Sequence, residues 1–421
     1  MTPTSEPDDQ RAAASPAEAL DVLVRFAALM VQVGNTAVRT REWIDSIAPR
    51  LGFEVVSVLV SLDSVTISGR RRGEWLTAMR GLGPPGINVS RLAQLEQLAK
   101  ILPSESPPAE LAKDLAKIES ASSHYSFAQL AAAVGLASGG FAFLNGAAMP
   151  ETLAATLGGG LGQGFRSWLS GRRLNQHAVA ALSATLATGV YVVAALAGSH
   201  FGFKFAHYPA GFIASVLFLV PGFPLIAALF DLLQYQTVAA LSRLAYGVMM
   251  LLAVAFGLSI VVAVGGIEVS RQPSIEIAYD LKLLLRSVAS FVAGAAFAMV
   301  FNSSPRTALA AGLLALGAND LRLILIDIGM MPAPAAFFAA LSIGLVALAM
   351  ERRFDMPRMA MIVAPTVIMI PGIYAFEMIV WFNRGKMLDA LQASASCFFI
   401  IGALAMGLAA SRFFGPPWGK Q

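Results

Sequence analysis

The sequence predicts an α-helical polytopic membrane protein. Ten transmembrane helices form two inverted five-helix repeats, preceded by a small cytoplasmic α+β domain. Three observations predict it. From Ser126 to Ser411 the chain is almost one continuous series of apolar runs, each near the ~20 residues that cross hydrocarbon. Pro-Gly pairs interrupt two of those runs, at Pro221-Gly222 and at Pro371-Gly372, 150 residues later. Earlier landmarks repeat at a similar distance: Pro150 precedes Gly162 by twelve residues, and Pro305 precedes Gly317 by twelve. Five spans is an odd number, so a second copy enters from the opposite side and is inverted, as in repeat-built carriers.

Composition agrees. Of 421 residues, 57% are hydrophobic and 13% charged, with mean hydropathy +0.67. Soluble domains carry roughly 25% charged residues. The net charge of +4 comes from basic residues scattered in short loops, which argues against nucleic acid as a partner. A single cysteine, Cys397, excludes an intrachain disulfide and thiolate-pair zinc or iron–sulfur ligation. His124, His177, His200 and His207 read as solvated loop residues, and no metal or cofactor is expected.

Residues 1–16 are polar and Ala/Pro-rich, with Asp8 and Asp9 where a signal peptide needs positive charge, and read as a disordered tail. Residues 17–120 form the α+β domain. Two amphipathic helices between Leu20 and Leu51 break near Gly34. The β-branched runs 53–61 and 65–70 flank a turn at Leu62-Asp63-Ser64, and a third strand is expected over 75–80. Helical spacing resumes at 90–102 and, past the Pro103–Pro108 interruption, runs to Ile118. The first repeat, 126–265, holds spans 126–144, 150–169, 178–198, 209–233 and 244–265. The second, 281–410, holds 284–301, 305–326, 332–350, 357–382 and 388–410, with a cytoplasmic tail over 411–421. The pairs Arg172-Arg173 and Arg352-Arg353 fall on one side, which favours cytoplasmic N- and C-termini.

The chemistry concentrates at the interruptions. Pro221 and Pro224 each remove a backbone donor and Gly222 permits a turn, so carbonyls there are expected to lose helical partners. The alternative is a plain proline kink. Recurrence at Pro371-Gly372 favours a functional break. Among the acidic residues in or near spans, Asp231, Asp320 and Glu377 stand out. A carboxylate at membrane depth is costly and usually marks a polar cavity or proton path. Asp231 is alternatively interfacial, and Asp320 alternatively pairs with Arg322. The small-residue spacings Gly158–Gly162, Gly160–Gly164 and Gly135–Gly139 favour helix packing over substrate contact. No Walker motif is present, and the α+β domain has no Ser-His-Asp or Cys-His arrangement, so no enzyme is expected.

The stretch Gly34-Asn35-Thr36-Ala37-Val38-Arg39, followed by a helix closing on Leu51-Gly52, resembles the opening motif of the threonine/serine exporter family. Pro221-Gly222-Phe223-Pro224-Leu225, with Asp231-Leu232-Leu233, is similar to that family's second hallmark. The resemblance covers the chain from Leu20 to Ala410. It implies a multi-pass exporter of small hydroxy amino acids in a bacterial inner membrane, driven by the proton-motive force. The family's relatives include dicarboxylate (succinate-type) exporters, which keeps that substrate class as an alternative. Gly34, Arg39, Pro221, Gly222, Pro224 and Asp231 are the positions carried over. Arg41 stands where the motif implies an acidic residue, with Glu42 one place on. Ile373-Tyr374 replaces the first copy's Phe223-Pro224, so the halves are not equivalent. Arg39 has a structural reading, bridging to Glu42 or Asp45, and a ligand-contact reading. The partners expected are the lipid bilayer and a small-molecule substrate, with homo-oligomerisation left open. A solute channel or a membrane-anchored hydrolase with a regulatory soluble domain is the alternative from another class.

Overall fold

The computed structural model describes residues 15–83, 85–104, 106–172, 174–202, 209–265, 278–354, 356 and 358–414. Expectations placed on most of the two tails, and on Arg173, His207 and Pro357, lie outside the described residues. The chain divides into two compact units, Met1–Gly86 with Arg91–Ser122, and Ile87–Ser90 with Ser123–Gln421.

The first unit opens with α1 (Pro16–Gln32), started by a capping box in which Ser15 accepts from the Glu18 N–H and Glu18 accepts from that of Ser15. Gly34, at φ +98°, turns the chain in the left-handed region that disfavours any side chain. Thr36 then caps α2 (Ala37–Ile47). Three antiparallel strands follow, β1 (Val55–Val60), β2 (Ser64–Arg71) and β3 (Glu74–Gly81), in the order β1-β2-β3. Arg72 and Gly73, both at positive φ, join β2 to β3 as a two-residue hairpin. Alternate residues Val65 and Ile67 of β2 are fully buried. Helices α3 (Val89–Ile101) and α4 (Pro108–Ser120) follow.

The second unit is helical. Its elements are α5 (Phe127–Leu144), α6 (Met149–Ser170), α7 (Gln176–His200), α8 (Pro209–Ala214), α9 (Gly222–Leu233) and α10 (Thr237–Gly265). After them come α11 (Tyr279–Val300), α12 (Pro305–Asp327), α13 (Pro332–Phe354), α14 (Arg358–Val367), α15 (Gly372–Asn383) and α16 (Met387–Ser411). Seven of these are long and apolar enough to cross a membrane, or nine if α8–α9 and α14–α15 each count as one bent span. The protein is a polytopic membrane protein. The remaining long helix, α6, is outside that set; it carries Glu151, Gln163 and Arg166 and is rich in glycine.

Small residues set the helix contacts. A Cβ at Gly135 of α5 would lie 2.7 Å from the Thr156 carbonyl of α6, and one at Gly158 of α6 would lie 2.5 Å from the Ala187 carbonyl of α7. Helices α5 and α6 pack together, as do α11 and α12, while α5 and α11 pack on each other. The α7–α10 contact matches α13–α16.

Several sequence expectations shift. Arg243, one residue before the expected span 244–265, is only 4% exposed, because α10 begins at Thr237, and Arg358, in the expected span 357–382, is 7% exposed at the start of α14. His177 is not a solvated loop residue. It lies in the first turn of α7, half-buried, with its ring edge-on to Tyr246.

Candidate functional site

The two Pro-Gly breaks are built alike and face one another. Pro221 adopts φ −78°, ψ 57°, and Pro371 adopts φ −78°, ψ 59°. In each, the glycine N–H donates to the carbonyl two residues back, Gly222 to Val220 and Gly372 to Ile370, both at 2.8 Å. The chain bends by 64° across the first break and by 44° across the second. A Cβ on Gly222 would lie 2.1 Å from Ile370 Cδ1, and one on Gly372 would lie 2.3 Å from Leu217 Cδ2. Each glycine thus receives a side chain from the opposite break, a contact only hydrogen at Cα leaves room for. Between them lies a cleft lined by Leu217, Val220 and Gly222 from one side and Val367, Ile370 and Gly372 from the other. Phe141 of α5 and Phe297 of α11 close it, edge-to-face at 5.7 Å.

Four carbonyls at the breaks have backbone partners. The Val220 and Ile370 carbonyls accept the glycine N–H groups, and those of Pro221 and Pro371 accept from Leu225 and Ala375. The residues lining the cleft are apolar. Pro224 lies within the first turn of α9.

Asp231, nine residues past Gly222, is fully buried and lies 3.1 Å from Arg243 Nε across the α9–α10 turn. Tyr246, one turn beyond Arg243, donates to Gln176 Oε1 at 3.2 Å and lies within electrostatic reach of Arg166 on α6.

In the other half, Asp320 does not pair with Arg322. Ser287 donates to the Asp320 carboxylate, while Arg322 Nε donates to Asn319 Oδ1 at 3.0 Å. Residues two apart on a helix point to different faces, which separates Asp320 from Arg322. Asn319, fully buried, donates in turn to Ser290 Oγ at 2.8 Å. Arg322 is within electrostatic reach of Tyr374, two residues past Gly372. Among the described residues no carboxylate lies within 4.0 Å of Arg322 or of Arg166; the ion pairs of this unit include Asp231–Arg243 and Asp327–Arg286. Glu377, on α15, is 6% exposed.

In the soluble unit, Arg39 is 6% exposed and pairs with Glu96 at 3.1 Å and Glu42 at 3.5 Å, its guanidinium 5.6 Å from the Trp43 ring centroid. Trp43 Nε1 also donates to Glu96. Arg41, where the motif implied an acid, donates to the Val58 carbonyl of β1. Glu96 was not foreseen from sequence, since it lies on a different helix 57 residues on.

Two family models match, both for threonine/serine exporters (ThrE), the first over residues 21–265 and the second over 286–414. The chain belongs to the threonine/serine exporter family. The first match ends with α10 and the second begins within α11. Similar relatives include a protein named threonine/serine exporter from Corynebacterium glutamicum, 24% identical over 371 residues, 85% of this chain and 74% of that one. An uncharacterised protein of Haemophilus influenzae is 28% identical over 139 residues, 31% of this chain and 47% of its own length. The chain thus spans about half the length of that second relative. No solved structure matches this chain.

Among residues singled out from sequence, Pro221, Gly222, Pro371 and Gly372 come together. Asp231, Asp320 and Glu377 do not line the cleft between the breaks. Gly34 and Arg39 belong to the other unit.

Proposed function

We propose that this chain is a secondary active exporter of small hydroxy amino acids, threonine or serine, driven by the proton-motive force. Its ten spans form two inverted five-helix repeats behind a small cytoplasmic α+β domain, with both termini cytoplasmic in a bacterial inner membrane. One observation carries the reading: two breaks of the same backbone geometry, each glycine filled by a side chain of the other, in a chain of this family. Two flexible joints in contact at one point let the flanking half-helices rock, as alternating access requires. Pro221, Gly222, Pro224, Pro371 and Gly372 form the joint. Asp231, Asp320 and Glu377 are candidate acidic residues of the transport domain outside the joint.

A zwitterion's carboxylate needs a cation, and Arg322 supplies it. Its guanidinium has no carboxylate partner among the described residues, is oriented by Asn319, and is close to Tyr374 beside the second break. Arg166 offers the same chemistry near the end of α6. Two uncompensated arginines also favour a second reading, a dicarboxylate substrate of the succinate class, with two anionic groups to neutralise.

Reconstituted vesicles loaded with labelled threonine, serine or succinate, with and without an imposed pH gradient, test both readings. Gradient-stimulated efflux of a hydroxy amino acid supports the first; succinate efflux alone supports the second; gradient-independent downhill flux of all three points to a channel. Pro221→Ala and Pro371→Ala restore a donor at each break. Each is expected to insert normally and lower transport by roughly tenfold, about 1.4 kcal/mol on the barrier. Arg322→Gln is expected to raise KM about 10- to 100-fold, since a hydrogen bond to a charged group is worth about 1.5–3 kcal/mol.

A further inference from the structure

Glu151 is the acidic residue that the helix breaks do not explain. It sits in the first turn of α6 and is 1% exposed. Its Oε2 accepts the Ala148 N–H at 3.0 Å, capping the helix. Its Oε1 is buried and accepts no hydrogen bond among the described residues, where no lysine, arginine or histidine lies within salt-bridge distance. The neighbouring Thr152 Oγ1 is likewise buried without a partner. A capping glutamate on a soluble helix keeps its second oxygen in water. This one has lost that water and gained no cation in exchange. Ionised, it would be a desolvated charge; as the neutral acid it is tolerable.

The surroundings tie this carboxyl to the joint. Glu151, Gly158 and Gly162 share one face of α6. That face packs on Ala187 of α7 and on Ser215 and Phe218, which lead into the first break. Among the described residues the elements with the main contacts to α6 are α5, α7, α8 and the turn Leu217–Leu219; of these α7 carries the ionisable side chains His177, Tyr191 and His200. Tyr191, 6% exposed, lies within electrostatic reach of Glu151. Its ring covers Gly211 of α8 and meets Phe212 edge-on at 6.0 Å. Phe212 meets Phe376 of α15 at 6.3 Å. Phe376 is four residues past Gly372. Movement at either break therefore shifts the rings that seal Glu151.

We propose that Glu151 is the residue that carries the coupling proton. In the closed arrangement the proton stays on the carboxyl group. When the face of α6 separates from α7 and α8, water reaches Oε1, the O–H bond breaks, the proton passes to water and the carboxylate keeps the electron pair. Closure again requires reprotonation, so proton binding and the conformational cycle are linked. Asp231, by contrast, is already compensated by Arg243. The assignment rests on the proton-driven reading of the transport.

The test uses full-length protein in vesicles. Glu151→Gln keeps a carbonyl acceptor for the Ala148 N–H, so the helix cap survives, and removes the titrating group. Expected are loss of at least nine-tenths of pH-gradient-driven accumulation of labelled threonine, serine or succinate, with exchange at zero gradient within twofold of the unmutated protein. Infrared difference spectra should show the carbonyl stretch of a protonated carboxylic acid that persists through neutral pH and is missing in Glu151→Gln. Full gradient-driven accumulation in Glu151→Gln overturns the assignment alone. So does loss of exchange and drive together with a lowered thermal midpoint, which marks a purely structural cap. Absence of any gradient effect in the unmutated protein overturns the proton-driven reading and the assignment with it, while the infrared band reports separately whether Glu151 holds a proton.

Discussion

Asp231→Ala and Arg243→Ala should each be far more damaging than the two together. The pair lies at 3.1 Å with side chains 0% and 5% exposed, where neither charge has water to fall back on. Breaking a buried pair by removing one partner typically costs about 3–5 kcal/mol, because the survivor remains as an uncompensated charge. Replacing both by apolar residues of similar size removes two desolvation penalties along with one attraction, and is often neutral. The expected result is little folded protein for either single variant and near-normal recovery for Asp231→Leu/Arg243→Met, read as thermal midpoints of the detergent-solubilised chain. A double variant whose loss equals the sum of the two single losses would mean the charges act independently. Asp231→Asn separates two roles for the same residue. A coupling group loses gradient drive and keeps stability, whereas an ion-pair partner loses stability first.

The helices were legible because apolar runs of bilayer length have few other physical solutions. The runs 126–144, 305–326 and 388–410 became Phe127–Leu144, Pro305–Asp327 and Met387–Ser411. Both breaks were legible from Pro-Gly alone, and the three strands from β-branched runs with a turn at Asp63. The polar partners were not. Arg243 was placed outside its span because Thr237–Arg243 lacks a continuous apolar pattern, yet those residues form the first turns of α10. Glu151, next to the Pro150 landmark, was not singled out, since its burial is a tertiary fact with no local signature. The adjacency of Asp320 and Arg322 in sequence invited a pairing that helix geometry forbids. That the two breaks touch, Gly222 against Ile370 and Gly372 against Leu217, follows from no spacing rule; it required the packing of α5 on α11 to be known.

Gly158→Leu is expected to abolish recovery of folded protein, while Gly317→Leu is expected to be tolerated. The sequence presents the glycines of α6 and α12 as counterparts, with Gly162 and Gly317 each twelve residues past a proline. Their surroundings are opposite. A Cβ on Gly158 would sit 2.5 Å from the Ala187 backbone carbonyl and 3.1 Å from Ser215 Cβ. Backbone on a packed helix cannot step aside as a side-chain tip can, so α6 must move off α7. Even one methyl group there should cost about 1–3 kcal/mol by overpacking, and leucine much more. Gly162 is nearly as crowded, with Ala187 Cβ at 2.7 Å and the Phe218 ring at 3.2 Å. Gly317 has nothing within 4 Å. Gly317→Ala should therefore add stability, up to about 1 kcal/mol of helix propensity. Thermal midpoints of Gly158→Ala and Gly317→Ala should move in opposite directions; a shift of the same sign in both would mean that α6 and α12 are equally packed. The difference has a mechanical meaning. The α6 face that carries Glu151 is pressed onto the segment leading into the first break, whereas α12 at Gly317 has no such contact, so opening at α6 is the movement that would expose the proposed coupling residue.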